Sequence, residues 1–147
     1  MSLIADASIQ SWMHERSKLP LQRDFWGIAR TINGQIVAAF GFDSFQPHGC
    51  QLHLCTTPNG INRGLLRATF ETAFVQWRYH YLAAIIQTTN AQSIHIAGRL
   101  GFKTCGQIPG ELWMGVLYPR DCRWLEPRRV LCPVVLRSLQ PRIYRET

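Results

Sequence analysis

The stretch that decides the fold is LAAIIQTTNAQSIHIAGRLGF, residues 82–102. Its first half is an almost continuous apolar run, which is typical of a strand covered on both faces inside a sheet. Thr88, Thr89 or Asn90 can cap the helix that follows, and Gly101 comes after it as the left-handed residue beyond the C-terminus. The stretch therefore predicts a buried strand followed directly by a capped helix.

The chain before this stretch contains the clearest helix, residues 62–78. Its apolar side chains form one wide face made of Leu66, Thr69, Phe70, Ala73, Phe74 and Trp77. An alternating run, CQLHLCTT at 50–57, precedes it. A strand, a long helix and a strand in succession form a right-handed crossover, so the strands at 50–57 and 81–88 are predicted to pair in parallel.

Two hairpins and two short helices complete the pattern. Asn33-Gly34 lies between apolar runs at 25–32 and 35–43, and Asn-Gly is the strongest short hairpin signal. The other predicted elements are a helix at 5–17, a hairpin of strands 102–108 and 111–118, and a short helix from Pro119 to Trp124. An antiparallel sheet joined to at least one parallel pair and flanked by helices makes the fold class α/β (α+β).

The composition is that of a single globular domain. The chain has 147 residues, of which 46% are hydrophobic and 17% charged, whereas a disordered chain has few aromatic and many charged residues. No apolar run approaches the roughly 20 residues of a membrane span, and the first nine residues do not resemble a signal peptide. These features predict a cytoplasmic protein without membrane contact.

Cysteines and histidines number five each and are scattered, with no CxxC pair and no spacing typical of zinc ligands. We therefore expect no metal site, and thiols that are reduced and mostly buried. Trp26, Trp77, Trp113 and Trp124 are expected in the core or a cleft rather than as platforms for stacked bases.

The C-terminal residues 126–147 differ from the rest, and we predict a domain boundary between 1–125 and this tail. Three prolines interrupt the tail, and seven of the 14 arginines lie between Arg120 and Arg145. Its apolar stretch Val130–Leu136 would be exposed in a free chain. We expect it to pack on a neighbouring subunit or another protein, with arginines at acidic groups or phosphates. Folding back as an extra strand and binding nucleic acid are the alternatives.

Three segments carry a resemblance to a known family. Pro58 precedes NGINRGLL (59–66) at the start of the long helix, the buried strand follows, and Asn90 opens a helix that ends in Leu100-Gly101-Phe102. In this order they resemble the GNAT superfamily, the acetyl-CoA-dependent N-acetyltransferases. The resemblance implies the GNAT acyl-CoA N-acyltransferase fold, in which the parallel strand pair is splayed apart.

The resemblance also implies a binding site for acetyl-CoA. A loop that enters a helix N-terminus exposes unpaired N–H groups at a positive dipole end, and glycines there let a phosphate approach the backbone. GNAT folds hold the pyrophosphate in this loop and the pantetheine arm between the splayed strands. The implied cofactor-binding residues are Thr56, Asn59, Gly60, Ile61, Asn62, Arg63, Gly64 and Asn90. The two loop glycines are more widely spaced than in the family pattern.

The candidate catalytic residue is His53. Aminolysis of a thioester needs a base for the amine proton and an acid for the leaving thiolate. GNAT enzymes often use a Glu in or near the strand before the loop, but this chain has no carboxylate between Ser44 and Thr57. His53 is the only titratable group there besides two cysteines, which makes it the candidate base. The family's acid is a Tyr on the last helix, and Ile96-Ala97 stands in its place.

Two functions fit this sequence. The first is an N-acetyltransferase that moves an acetyl group from acetyl-CoA to an unidentified amine, with degenerate catalytic residues. The second rests on GELWMGVLYPRDCRWL (110–125) and Arg63-Gly64, which are similar to a GNAT-like group encoded by tailed bacteriophages. That resemblance implies a non-catalytic virion or assembly protein, located in the host cytoplasm or in the virion.

Overall fold

The computed structural model describes residues 2–125, so the predicted tail at 126–147 lies outside the described residues. The strands and helices are β1 Ser2–Ile4, α1 Ser8–Ser17, β2 Trp26–Ile32, β3 Gln35–Asp43, β4 Gly49–Thr56, α2 Arg63–Glu71, β5 Tyr81–Gln87, α3 Ala91–Leu100, β6 Lys103–Ile108 and β7 Leu112–Leu117. A π-helical turn, Thr72–Gln76, continues α2, and a 3₁₀ turn, Pro119–Asp121, follows β7.

The seven strands form one sheet in the order β1-β2-β3-β4-β5-β7-β6. All neighbouring pairs are antiparallel except β4 and β5, which are parallel. The connection through α2 joins this parallel pair, as the succession of strand, helix and strand predicts. The α/β (α+β) fold class, with a mixed and mostly antiparallel sheet, is therefore confirmed.

Three local sequence signals are confirmed in the structure. Asn33 and Gly34 have φ angles of 51° and 76°, which the tight turn between β2 and β3 requires. Asn90 caps α3, since its side-chain oxygen accepts a hydrogen bond from Ser93 N–H at 3.2 Å. Gly101 ends that helix in the left-handed region with a φ of 108°.

Several element boundaries differ from the prediction. β1, which pairs with β2, was not predicted. A strand of three residues is too short to show an alternation of apolar and polar side chains. The long helix is not uniform, because α2 passes into the π-helical turn after Glu71. The N-terminal helix begins at Ser8 rather than residue 5, and the turn that starts at Pro119 ends at Asp121 rather than Trp124.

β5 is not covered on both faces along its whole length. Leu82 and Ala84 are buried, but Ile85 is 47% exposed. The paired part of β4 ends opposite Ala83, so the second half of β5 borders open space on that side. The apolar run in the sequence therefore reflects a buried strand at its start and the wall of a cleft at its end.

The sheet carries an apolar core on each face, because side chains alternate along the strands. The larger core packs α2 and α3 on the sheet and includes Phe40, Phe42, Leu65, Phe70, Leu82 and Leu117. The smaller one packs α1 on β2, β3 and β4 through Ile9, Met13, Ala29, Ala39 and Cys55. The four tryptophans named above lie in or against the larger core, as predicted, with Trp113 buried and Trp26, Trp77 and Trp124 partly buried.

Candidate active site

β4 and β5 separate soon after they begin. They pair only at Gly49–Tyr81, Cys50–Leu82 and Gln51–Ala83. Beyond this point β4 stays on β3 as far as Thr56, and β5 stays on β7 as far as Gln87. Within the described residues, the inner edges of the two strands therefore have no strand partner, and their N–H and C=O groups can bind a ligand.

A cleft of 540 Å³ lies where the strands separate. Most of its wall is apolar and consists of Leu19, Phe40, Leu52, Leu54, Ala84, Ile85, Ile86, Ile96, Ala97, Leu100 and Phe102. The polar residues of the wall are Ser17, Lys18, His53, Gln87, Asn90 and Ser93. An apolar wall with a few polar groups is typical of small-molecule sites.

His53 lines the cleft and is hydrogen-bonded to a buried carboxylate. Its Nε2 lies 2.9 Å from Asp43 Oδ1, with side-chain exposures of 19% for His53 and 4% for Asp43. A carboxylate accepts hydrogen bonds, so the ring proton of the neutral histidine is on Nε2. Nδ1 then carries the lone pair, and among residues 2–125 the ring makes no other hydrogen bond. The arrangement leaves a proton acceptor at the cleft.

The partner of His53 is a residue that sequence reasoning missed. Asp43 is the last residue of β3 and directly precedes the carboxylate-free segment from Ser44 to Thr57. In the antiparallel register Gly41 faces His53 and Asp43 faces Gln51, so Asp43 and His53 are diagonal neighbours on one face of the sheet. The sequence shows an acidic residue at the end of the preceding strand, but only the pairing register places that residue beside His53.

The α3 side of the cleft offers no acid in the expected place. Ile96 and Ala97 line the wall, whereas His95 is exposed and outside the lining. Among the described residues of the wall there is no Tyr, Asp or Glu. The described part of the wall therefore lacks the side-chain acid that the resemblance implies.

The predicted phosphate loop follows β4 and enters α2. Asn62 is the N-cap of α2, where its side-chain oxygen accepts from Leu65 N–H at 2.8 Å. Arg63 and Gly64, the first helical residues, are exposed, and their N–H groups belong to the turn that has no intrahelical acceptor. The loop can therefore accept an anion at the start of α2.

The two loop glycines serve different purposes. A Cβ on Gly60 would lie 2.2 Å from the Val37 carbonyl oxygen and 2.6 Å from Thr56 Oγ1, so Gly60 lets the loop pack on β3. A Cβ on Gly64 would meet only the Asn62 side chain, at 3.6 Å. Of the two, Gly64 is therefore the one that leaves room for a phosphate outside the protein surface.

The structure brings together only some of the predicted site residues. His53 and Asn90 both line the cleft, on β4 and at the start of α3. The residues outside the lining are Thr56, Asn59, Gly60, Ile61, Asn62, Arg63 and Gly64, which lie at the end of β4 and the start of α2. The roles of these residues in binding and catalysis stay predictions.

Three of the four cysteines in the described part of the chain are buried free thiols, and Cys105 is exposed. Burial raises the pKa of the Cys122 thiol to about 11. Burial and the nearby charge of Asp43 raise the pKa of Cys50 as well. The thiolate is the reactive form, so neither residue is a nucleophile at neutral pH.

Residues 2–125 contain no group of three or more His, Cys, Asp or Glu side chains placed to hold a metal ion. Over the same residues, none of the helices has the length and apolar character needed to span a bilayer.

No protein-family model and no curated protein matches the chain by sequence. Solved structures do match. The N-acetyltransferase PseH of Campylobacter jejuni, in complex with acetyl coenzyme A, aligns with a TM-score of 0.56 and 14% identity over 74% of each chain. A spermidine N-acetyltransferase SpeG F149A mutant from Vibrio cholerae aligns with a TM-score of 0.65 and 11% identity over 80% of this chain and 95% of SpeG.

The fold is that of the GNAT N-acetyltransferases. An acetyltransferase of the GNAT family from Bacillus anthracis aligns as well, with a TM-score of 0.52 and 17% identity over 67% of this chain and 68% of the other. At these identities the likeness concerns the GNAT fold, and a shared fold hosts many substrates. The assignment of individual residues in this chain therefore rests on the geometry of the cleft and the loop.

Proposed function

We propose that this chain binds acetyl-CoA in the cleft between β4 and β5 and transfers the acetyl group to an amine. The observation that carries the proposal is the position of the His53–Asp43 pair, which places a proton acceptor on the wall of the cleft. The GNAT fold with its splayed strands β4 and β5 supports the choice of acetyl-CoA as cofactor. The His53–Asp43 pair supports the choice of acetyl transfer as the reaction.

The residues present fit the cofactor. The unpaired inner edges of β4 and β5 offer backbone donors and acceptors to the amides of a pantetheine arm, and the apolar wall suits its methylene groups. The N–H groups at the start of α2, beside Gly64, suit the pyrophosphate. We assign cofactor binding to Thr56, Asn59, Gly60, Ile61, Asn62, Arg63, Gly64 and Asn90.

His53 acts as the general base in this proposal. Acetyl-CoA supplies the acetyl group as a thioester. His53 Nδ1 takes a proton from the attacking amine as its nitrogen bonds to the acetyl carbon, and Asp43 stabilises the resulting imidazolium. When the carbon–sulfur bond breaks, the thiolate takes a proton from His53 or from water, because Ile96 offers none.

The acceptor in this proposal is an amine with an apolar body rather than a polyamine. Among the described residues of the wall there is no carboxylate, and Lys18 adds a positive charge. Each ammonium group of a bound polyamine loses water and needs an anionic or hydrogen-bonding partner in return. The SpeG proteins of V. cholerae are spermidine N-acetyltransferases, but the composition of this cleft favours a different acceptor.

Thermal shift and turnover together test the proposal. Acetyl-CoA at 100 times its Kd should stabilise the chain by about 2.7 kcal/mol, because only the folded state binds it. Thiol release should be faster with phenylethylamine than with spermidine as acceptor. His53→Gln should lower kcat and leave the acetyl-CoA shift in place, whereas His95→Gln, on the exposed face of α3, should change neither. The absence of a shift in the parent chain would refute the proposal.

The second candidate is a non-catalytic GNAT-like bacteriophage virion or assembly protein. The apolar Ile96 in the place expected for the acid favours it. In that case no amine acceptor should give turnover with acetyl-CoA, and antibodies against the chain should detect it in purified phage particles. Turnover that depends on His53 would favour the enzyme instead.

A further inference from the structure

Arg30 reaches from β2, the strand next to the edge strand β1, to the predicted phosphate loop. It belongs to β2, 30 residues before the loop, yet its Nη1 donates to the carbonyl oxygen of Gly60 at 2.8 Å and to that of Asn59 at 3.3 Å. A charged donor therefore binds two consecutive backbone carbonyls. Charge-assisted hydrogen bonds of this type are stronger than those between neutral groups.

A β-bulge beside Arg30 supplies the second anchor of the loop. Arg30 pairs with Ala38 but Thr31 pairs with Ile36, so Val37 has no partner in β2. The Val37 carbonyl accepts from both the N–H and the Oγ1 of Thr57, at 2.8 and 2.9 Å. Bulges re-aim side chains at functional sites, and this one lies where Arg30 turns toward the loop.

The two anchors fix the direction of a backbone donor. In a trans peptide the N–H points opposite to the C=O, so a Gly60 carbonyl held by Arg30 directs the Ile61 N–H away from Arg30. Among residues 2–125, the Ile61 N–H makes no backbone hydrogen bond. It joins the N–H groups of Arg63 and Gly64, which also lack intrahelical acceptors.

We propose that Arg30 is a positioning residue for pyrophosphate binding, because it holds the Asn59 and Gly60 carbonyls inward and so presents the Ile61 N–H outward. The inference rests on the proposed function, in which this loop binds the pyrophosphate of acetyl-CoA. Arg30 acts through the backbone and touches the loop, and it has no part in the proton transfer assigned to His53.

Binding measurements with two ligands test this role. Arg30→Gln should weaken acetyl-CoA binding by about tenfold to 100-fold, the range expected for loss of charged hydrogen bonds. The Kd of the variant for S-acetylpantetheine, which lacks the pyrophosphate, should stay within about twofold of the parent's Kd. Arg30→Lys keeps a cation with several donors and should recover part of the loss. Arg23→Gln, an exposed arginine before β2, is the matched control and should bind both ligands like the parent.

Hydrogen exchange on the ligand-free chain separates this inference from the proposed function. Arg30→Gln should speed amide exchange at Thr57 and Gly60, whose N–H groups are bonded in the anchored loop, and leave β5 unchanged. Suppose that the loop exchanges faster in the variant but the parent does not bind acetyl-CoA. This result would support the role of Arg30 in holding the loop and would refute the proposed function. Unchanged exchange and unchanged affinity would overturn the inference. Equal weakening of both ligands would also overturn it, since that outcome indicates general damage.

Discussion

The pairing of His53 with Asp43 is the residue-scale contact on which the proposed chemistry depends. Asp43→Asn replaces a pure acceptor by an amide that can donate to Nε2, which would move the ring proton to Nδ1 and remove the base from the cleft. We expect kcat to fall by about 100-fold with little change in KM, since general-base catalysis contributes on this scale. Steady-state kinetics with acetyl-CoA would show it. Asp24→Asn, an exposed carboxylate before β2, is the control, and a parent-like kcat in Asp43→Asn would remove Asp43 from the mechanism.

Cys122 gives a pH-dependent prediction at the same scale. Burial raises the pKa of its thiol from 9.0 to about 11 in the folded chain. The unfolded chain loses this proton first as the pH rises, so the contribution of Cys122 to stability is full below pH 9.0 and is lost as the pH rises through about 11. Between these values, urea unfolding should give a steeper loss of stability for the parent than for Cys122→Ala. Equal slopes for the two chains would contradict the raised pKa.

Single residues show what a sequence can and cannot predict about this site. His53 and Asn90 were predictable as candidates from local sequence, one as the only titratable group besides two cysteines in its strand and the other as a helix cap. Asp43 and Arg30 were not, since their partners are ten and 29 to 30 residues away and depend on strand register. The register of a strand pair depends on the alternation of apolar and polar side chains in both strands and on any bulge. No local feature of the sequence predicts the bulge at Val37.

At the scale of the element, substitutions of Gly60 and Gly64 test the role of the loop between β4 and α2. Gly60→Ala forces a Cβ against the Val37 carbonyl, where there is no room. We expect a loss of about 1 to 3 kcal/mol in unfolding free energy, as for other overpacked sites, and weaker acetyl-CoA binding. Gly64→Ala places its Cβ in ordinary contact with the Asn62 side chain on the first turn of α2, so it should leave stability equal or higher.

Gly64→Glu completes the series. The side chain has space, so the variant should fold, but its negative charge would stand where the phosphate approaches. Its melting temperature should match the parent's while its acetyl-CoA affinity falls, and calorimetry would measure both. An unchanged affinity would show that the start of α2 does not bind the cofactor.

Elements were predictable where a local rule decides them. The Asn33-Gly34 turn and the Asn90 cap each depend on residues that are adjacent in the chain. The π-helical turn after Glu71 and the exposure of Ile85 depend on what packs against them, so periodicity alone predicts a uniform helix and a strand covered on both faces. The open side of β5 is the cleft itself, which explains why the main error in the sheet falls at the candidate site.

At the scale of the whole molecule, the described part of the chain contributes two apolar cores, one on each face of the sheet. The described part ends at Trp124 and Leu125, which pack partly buried against the larger core. The tail at 126–147 lies outside it, and its sequence carries five arginines against two glutamates around the apolar stretch Val130–Leu136. We therefore propose, from composition alone, that the tail binds a neighbouring subunit or another protein.

Deleting residues 127–147 tests that proposal against the alternative that the tail belongs to the domain. The cut keeps Trp124 and Leu125, so the larger core loses none of the contacts described for it. We expect the truncated chain to keep its circular dichroism spectrum and its melting temperature within a few degrees, and to lose any self-association or partner binding of the full chain. Light scattering at several concentrations and salt levels measures the assembly state, and added salt should weaken contacts made by arginines. A full chain that is monomeric and unbound throughout, with a truncated chain that melts far lower, would show instead that the tail stabilises its own domain.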